Sequence, residues 1–476
     1  MTQSPERPLE LSESDMRRLV GLALDRIVAH VTSLPEQPSA GVWGDGHERA
    51  RAARSPLPEQ ASDAEEVLDT LFRDWVPVSF NTAGPGYLAY IPGGGIFHAA
   101  LADLIADTTN RYVGVWQAAP VLAELEADVL RWFAGIVGYP AQARGILTSG
   151  GSLANFSAIV TARRTMLPER FLDGTLYTSD QAHHSVAKAA VLAGFPPRNV
   201  RSIPSDGEFR IRVDVLEESI DADRRAGLHP FLIAASAGTT NTGAVDDHLA
   251  LADVAARRKM WLHSDAAYGG FFLMTERGRW AMRGIERADS VALDPHKGLF
   301  LPYGTGSLLV REGERLRRAH ALEAEYLPPM QDASEFVDFC DHSPELSRPF
   351  RGLRVWLAFK LAGARAFREQ LEEKLDLARW AADQLRALPD VEVVAEPQLS
   401  LLAFRVVRPG LSEADTNALN RKALDAVNRR GRVYITGTTV AGRYLMRICV
   451  LSFRTHMERM EQGLEDIRQV IENDGR

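Results

Sequence analysis

A lysine directly after a short apolar run is the first residue of this sequence that could do chemistry. Lys297 ends the segment DPHK (294–297), and the run 290–293 precedes it. If this run is a buried strand, partial burial lowers the pKa of the amine, and a neutral amine can form a Schiff base with an aldehyde. The same four residues are equally compatible with a lysine on a surface turn.

An aspartate closes a second apolar run. Asp265 ends the run 260–265, and a carboxylate at such a position needs a positive charge or several hydrogen-bond donors. The protonated ring nitrogen of pyridoxal 5′-phosphate (PLP) is such a partner, and an acidic group beside it makes the ring an electron sink. The alternative is that Asp265 is the N-cap of a following helix.

Two adjacent glycines open a helix-like segment and indicate an anion site. The segment TSGGS (148–152) precedes the helix-like run 153–159. Glycines let the backbone approach an anion closely, and the start of a helix offers unpaired N–H groups. The pattern predicts a phosphate site formed by Gly150, Gly151 and Ser152 without the lysine of a P-loop. A glycine-rich helix start has little specificity by itself.

Two further polar segments follow apolar runs. His183 lies in DQAHHS (180–185), and its imidazole could stack on a flat aromatic cofactor, bind a metal or be purely structural. We find no second ligand cluster of zinc spacing, so we predict no metal site. Thr240 lies in AGTTNTG (237–243), where its hydroxyl could contact a cofactor or shape a turn.

The elements that position these residues follow an α/β pattern. Continuous apolar runs, typical of strands covered on both faces, alternate with helical segments and predict a mainly parallel sheet. Ligands bind beyond the carboxyl ends of such strands, where the polar segments lie. We expect an N-terminal helical segment (1–80), a large cofactor-binding domain (81–365) and a small C-terminal α/β domain (366–476). Within the first, helices are predicted to begin at Ser12, with Asp15, and at Ser62, with Glu65.

Composition narrows the class of protein. The chain has 476 residues, which exceeds one hydrophobic core, and a net charge of −8, which argues against nucleic-acid or anionic-membrane partners. The two cysteines suit a reducing compartment. Because neither an apolar signal core nor a run of about 20 apolar residues occurs, we expect a cytoplasmic protein.

The order of these segments resembles that of the fold-type I PLP enzymes, and specifically the group II amino-acid decarboxylases. The resemblance runs from about residue 84 to 449 and is most specific in segments 180–185, 263–270 and 294–297. It implies that Lys297 forms the Schiff base, that Asp265 pairs with the ring nitrogen and that His183 stacks on the ring. It also implies cofactor contacts from Gly150, Gly151, Ser152, Thr240, Ala267, Asp294 and His296.

The same resemblance implies the reaction and the assembly. Members remove the α-carboxyl group of an L-amino acid to give the amine and CO2. They are homodimers whose active sites lie at the subunit interface and whose N-terminal helices pack on the partner. Tyr90, Pro92 and Tyr303 match substrate-pocket positions. Arg111 could bind an acidic substrate side chain, or it could be a structural or interface residue.

Three departures leave other reactions open. Gly298 and Asp294 stand where relatives carry Trp and Asn, and the segment 326–347, similar to the family's mobile catalytic loop, has Phe339 in place of the loop tyrosine. Protonation of Cα would then need another acid: His183, His342 or water. Relatives with Phe at this place convert amino acids oxidatively to aldehydes, so decarboxylation-dependent oxidative deamination is the main alternative. Transamination and a non-enzymatic PLP-binding role are the others.

Overall fold

The apolar runs in the middle of the chain form a seven-stranded sheet. The computed structural model describes residues 9–41, 46–321 and 335–473. Strands follow the order β1-β7-β6-β5-β4-β2-β3; β7 pairs antiparallel with β1 and β6, and the other pairs are parallel. The prediction of a mainly parallel sheet is confirmed. Its strands are β1 Arg144–Thr148, β2 Gly174–Ser179, β3 Val200–Ile203, β4 His229–Ser236, β5 Trp261–Ala266, β6 Ser290–Leu293 and β7 Gly306–Val310.

A second, smaller sheet lies in the C-terminal part of the chain. Its four antiparallel strands follow the order β10-β11-β9-β8 and pack on a separate cluster of buried apolar side chains. Two cores agree with the expectation that one hydrophobic core does not suffice for a chain of this length. The strands are β8 Val391–Ala395, β9 Leu401–Val406, β10 Thr436–Val440 and β11 Arg443–Cys449.

Fifteen α-helices occur within the described residues. Among them, none reaches the length and apolar character that spanning a bilayer requires. They are α1 Glu13–Ser33, α2 Gly46–Ala52, α3 Ala64–Asp69, α4 Phe97–Thr109, α5 Pro120–Val137, α6 Gly151–Met166, α7 His184–Leu192, α8 Val213–Arg225, α9 His248–Arg258, α10 Glu276–Ala281, α11 Pro295–Gly298, α12 Gly313–His320, α13 Arg351–Arg386, α14 Glu413–Arg429 and α15 Met457–Asn473.

The first predicted helix start is confirmed, and the second is wrong by one residue. The Ser12 side chain accepts a hydrogen bond from the backbone N–H of Asp15, as expected for an N-cap. At the second helix, Asp63 and not Ser62 is the cap, because its carboxylate accepts from the N–H groups of Glu65 and Glu66. An aspartate is as good an N-cap as a serine.

Helix α13 joins the two cores. Its N-terminal part packs in the core of the large sheet and its C-terminal part in that of the small sheet. At Gly363 the backbone leaves helical geometry, with φ 78° and ψ 147°, a conformation that glycine adopts without a side-chain clash. The domain boundaries after residues 80 and 365 stay predictions, and the second falls two residues beyond this break.

Candidate active site

The polar ends of the strands converge on one cavity of about 260 Å³. It lies at the turn between β1 and α6 and at the carboxyl ends of β4, β5 and β6. The structure therefore brings together every residue that the sequence predicted to contact a cofactor. These are Gly150, Gly151, Ser152, His183, Thr240, Asp265, Ala267, Asp294, His296 and Lys297.

Lys297 lies beside a carboxylate. Its Nζ is 2.8 Å from Oδ2 of Asp294, which is only 1% exposed. Burial lowers the pKa of Lys297, but the charge and hydrogen bond of Asp294, together with the charge of Asp265, raise it above the usual value on balance. The expectation that the lysine pKa is lowered is therefore wrong, because the strand end that buries the amine also supplies its counter-ion.

Asp265 is held by two donors and points into the cavity. Its Oδ2 accepts from Asn155 Nδ2 at 2.9 Å, and its Oδ1 accepts from the Ala267 N–H at 3.2 Å. The next short helical turn begins only at Gly270, and its N-cap is Gly269. The structure therefore contradicts the alternative that Asp265 is a helix N-cap.

A buried hydrogen-bond chain orients the Asn155 amide behind Asp265. Burial lowers the pKa of His263 to about 4, so its imidazole is neutral at pH 7. Ser290 accepts from the indole N–H of Trp261 and can donate to His263 Nδ1, while His263 Nε2–H donates to Asn155 Oδ1 at 2.9 Å. This pattern leaves both amide hydrogens of Asn155 free to donate to the two cavity groups, Asp265 and Ser185.

His183 belongs to the same network. Its Nδ1 lies 2.8 Å from Ser185 Oγ and accepts from the Ser185 N–H, so it caps α7. Burial lowers the pKa of His183. A neutral imidazole that accepts at Nδ1 carries its proton on Nε2. Asn155 therefore connects the two predicted catalytic groups, Asp265 through one amide hydrogen and His183 through Ser185.

The sequence prediction missed Asn155, Ser185 and His263. Asn155 lies four residues after Gly151 on α6, so both face the cavity. An asparagine inside a helix is unfavourable unless its side chain has partners elsewhere, and this was the available signal. Further cavity residues that the prediction missed are Ser149, Leu153, Ser236, Gly238, Thr239 and Tyr268.

The glycine turn forms a cradle that a single added methyl group would fill. A Cβ on Gly306 would lie 2.5 Å from the Gly150 backbone, and one on Gly151 would lie 3.0 Å from the Ala267 Cβ. Their absence leaves room for an anion at the first N–H groups of α6. Phosphate fits this turn, a pyridinium nitrogen fits Asp265 and an aldehyde fits Lys297. The residues present therefore suit PLP.

The five residues predicted for the substrate pocket do not line this cavity. Tyr90 and Tyr303 are half-exposed, and the Tyr303 ring centre is 5.7 Å from that of His296 at the cavity wall. Pro92 is buried and Arg111 is exposed. These four residues stay predictions for the outer pocket.

Phe339 is fully buried, and its assignment to the place of the loop tyrosine near the substrate stays a prediction. The Arg348 guanidinium lies 5.0 Å above the ring. Its neighbours are tied to the stretch 113–116, since Asp338 accepts from the Trp116 N–H and the Cys340 N–H donates to the Gly114 carbonyl. Without a hydroxyl group, the ring gains most by leaving water. Residues 326–334 of the predicted loop lie outside the described residues.

A buried ion pair anchors this segment to the glycine turn. Arg348 and Glu126 are both fully buried, with 2.5 Å between nitrogen and oxygen. Arg348 and Arg351 donate to the carbonyl of Leu147, one residue before the end of β1. The end of β1, and with it the turn that follows, is thereby held against the segment that carries Phe339.

Comparisons with known proteins agree with this site. The model of the pyridoxal-dependent decarboxylase conserved domain matches residues 49–407. An aromatic-L-amino-acid decarboxylase of Bacillus atrophaeus is 34% identical, over 98% of this chain and 97% of the relative. A phenylacetaldehyde synthase of Arabidopsis thaliana is 28% identical, over 87% of this chain and 88% of the relative.

A solved structure extends the likeness to the fold. The Oryza sativa TDC structure with PLP and tryptamine superposes with a TM-score of 0.92 at 29% identity, covering 98% of this chain and 99% of that one. The chain therefore belongs to the pyridoxal-dependent decarboxylase family and is a PLP-dependent carboxy-lyase that decarboxylates an amino acid.

Proposed function

We propose that the substrate is an aromatic L-amino acid and that Lys297 is the lysine that binds the cofactor. The observation that carries the proposal is the convergence of Lys297, Asp265 and the glycine turn on one cavity. The names of the Bacillus relative and of the Oryza sativa tryptophan decarboxylase, 32% identical, support the substrate class. The exposed rings of Tyr90 and Tyr303 suit contact with a planar side chain.

Each cavity residue has a distinct task in this proposal. When bound, PLP supplies an electron sink that makes the loss of CO2 from Cα possible. Lys297 binds the aldehyde end, and Asp265 holds negative charge against the ring nitrogen. The N–H groups of Gly151 and Ser152 hold the phosphate, with Gly150, Asp294 and His296 around them, while Thr240 and Ala267 line the wall.

We propose that His183 donates the proton that the substrate Cα finally takes up. Its neutral imidazole holds a proton on Nε2, and the ring lines the cavity. His342, the other histidine considered, is buried, with Nδ1 3.1 Å from the Asp338 carbonyl, and it does not line the cavity. Water is the remaining alternative.

A substrate panel tests the proposed reaction. The purified chain with PLP is given aromatic amino acids, glutamate, diaminobutyrate and cysteine sulfinate singly. We expect CO2 and an equimolar amine from an aromatic amino acid, with kcat/KM about 10- to 200-fold above that of the other substrates, the range that pocket contacts usually provide. The assay follows CO2, amine, aldehyde and H2O2.

Other products would redirect the assignment. Aldehyde with ammonia and H2O2 would favour oxidative deamination, and an aldehyde product would agree with the name of the phenylacetaldehyde synthase relative. A keto acid with pyridoxamine phosphate would mean transamination. A preference for glutamate or diaminobutyrate would overturn the substrate class and make Arg111 the residue to change.

We also propose that the chain works as a homodimer in the cytoplasm. Within the described residues, no residue of α1 is buried. Met16, Val20, Leu24 and Val28 recur every four residues along this helix and are 44–50% exposed. Such an apolar stripe is typical of a protein interface, and the resemblance assigns it to a second copy. The two free cysteines, Cys340 and Cys449, suit a reducing compartment.

Charge on this stripe should separate the subunits. We expect Val20→Glu combined with Leu24→Glu to shift the mass in sedimentation from twice the chain mass of 52.5 kDa to that mass, with loss of activity. Leu192→Glu is the matched control, since Leu192 is an exposed leucine on α7. A wild-type chain that sediments as a monomer would refute the dimer.

A further inference from the structure

Asp294 is a buried carboxylate with one charged partner. Its Oδ2 lies 2.8 Å from Lys297 Nζ and 3.6 Å from His296 Nε2. Its Oδ1 is buried and has no hydrogen-bond partner among the described residues. It also borders the glycine turn, because a Cβ on Gly151 would lie 3.1 Å from Oδ2. A carboxylate this far from water needs a positive charge nearby.

Lys297 is the cation that meets this need. Burial lowers the pKa of both His183 and His296, which leaves them neutral near pH 7. Burial raises the pKa of Cys449 to about 12, so its thiol carries no charge. The titratable groups that face the Asp294–Lys297 pair from the surrounding elements are Asp265, His183, His296, Tyr303 and Cys449.

Arg354 acts on the charge of His296 but is engaged elsewhere. It lies beyond His296 and donates to the Asp103 carboxylate at 2.7 Å and to the Thr305 hydroxyl at 2.6 Å. It therefore does not replace the ammonium as the partner of Asp294. Asp265, for its part, already accepts hydrogen bonds from Asn155 and from the Ala267 N–H.

We propose that Asp294 is the counter-ion that keeps Lys297 protonated and that it thereby slows the reaction of this amine with the cofactor aldehyde. The proposal rests on Lys297 being the cofactor lysine. An ammonium has no lone pair, so Nζ must lose a proton before it can react. The N–H bond breaks with its electron pair left on Nζ, and the proton binds Oδ2 of Asp294, the acceptor at 2.8 Å.

This proton transfer also removes a conflict at the glycine turn. An ionised Asp294 would repel a phosphate bound there, whereas a neutral carboxyl group would not. The pair has zero net charge before and after the transfer. Asparagine, which the resemblance places at this position in the aromatic decarboxylases, could neither balance the charge of the ammonium nor take its proton. Asp294 therefore makes cofactor capture depend on this proton transfer, which asparagine could not support.

Chemical labelling of Lys297 tests the proposal. The full chain, stripped of PLP, is treated with acetic anhydride at a series of pH values, and acetylation of Lys297 is measured by mass spectrometry. Because the pKa of Lys297 is raised above its ordinary value, we expect the wild-type rate to rise roughly tenfold per pH unit at least up to the ordinary lysine pKa of about 10.4. In Asp294→Asn, the charge that raises the Lys297 pKa most is gone, while burial and the charge of Asp265 remain. We therefore expect labelling at pH 8 to be at least about tenfold faster.

The rate at which PLP attaches should change in parallel, measured by absorption after mixing. Asp289→Asn is the matched control, because Asp289 directly precedes β6 and Asp294 directly follows it. Its carboxylate accepts from the Leu262 N–H and not from Lys297. The control should keep the wild-type labelling profile, and Asp294→Glu, which retains the charge, should stay within a few fold of it.

Two outcomes would overturn the proposal. One is a wild-type labelling midpoint below the ordinary lysine pKa of about 10.4. This measurement needs no variant, so it decides even if Asp294→Asn does not fold. The other is an unchanged labelling rate in a folded Asp294→Asn. If PLP attaches to Lys297 in that case, only the counter-ion role fails. If instead labelling accelerates but PLP attaches to another lysine, the assignment of Lys297 fails.

Discussion

Replacing Lys297 with alanine is expected to abolish both covalent attachment of PLP and turnover. Lys297 is the one lysine among the described residues that line the cavity. Within the described part of the chain no other amine lines the cavity to take its role, and alanine leaves the phosphate turn and Asp265 in place. We therefore expect kcat to fall roughly 10³- to 10⁶-fold, the scale seen when a covalent catalytic group is removed, while PLP still binds non-covalently.

The visible absorption spectrum and the mass of the borohydride-reduced protein measure attachment, and CO2 release measures turnover. Lys297→Arg is the matched control, because it keeps a positive charge beside Asp294 and cannot form a Schiff base. A folded but inactive Lys297→Arg would show that the amine chemistry and not the ion pair is required. Near wild-type CO2 release by Lys297→Ala would refute the assignment and the mechanism built on it.

Replacing Asp265 with asparagine is expected to lower kcat by about 100- to 1000-fold, the range found when one preorganised electrostatic group is removed. Asparagine keeps the shape, but its single amide oxygen can accept from only one of the two donors, Asn155 Nδ2 or the Ala267 N–H. It lacks the charge that keeps the ring nitrogen protonated, so the electron sink is weaker. KM should change much less than kcat, because the Asp265 charge stabilises the transition state more than the bound substrate.

Steady-state kinetics on the preferred substrate measure this effect, and the PLP dissociation constant shows whether the cofactor is retained. Asn155→Ala provides a graded comparison, since it leaves the Asp265 charge and removes one of its two donors. We expect its kcat to fall less, by about tenfold, the equivalent of about 1.4 kcal/mol. An unchanged kcat in Asp265→Asn would mean that Asp265 is only structural.

Local patterns in the sequence were enough to predict the parallel sheet, the helix start at Ser12 and seven of the ten residues at the cavity. Apolar runs ending in polar residues fix these features, because the carboxyl ends of parallel strands meet at one edge. Ala267, Asp294 and His296 were implied by the family resemblance. The helix start at Ser62 was misplaced, because two adjacent residues can both act as an N-cap and packing selects between them. The family resemblance added the reaction and the cofactor.

Tertiary structure alone decided the electrostatics and the partners. Asn155 meets His263 and Asp265 across separations of 108 and 110 residues, and no local pattern encodes such pairs. Phe339 is buried because Arg348 and the stretch 113–116 fold around it. The direction of the Lys297 pKa depends on 2.8 Å between Nζ and Asp294. Burial and an opposing charge act in opposite directions on this amine, so its charge follows from their distances in the folded chain.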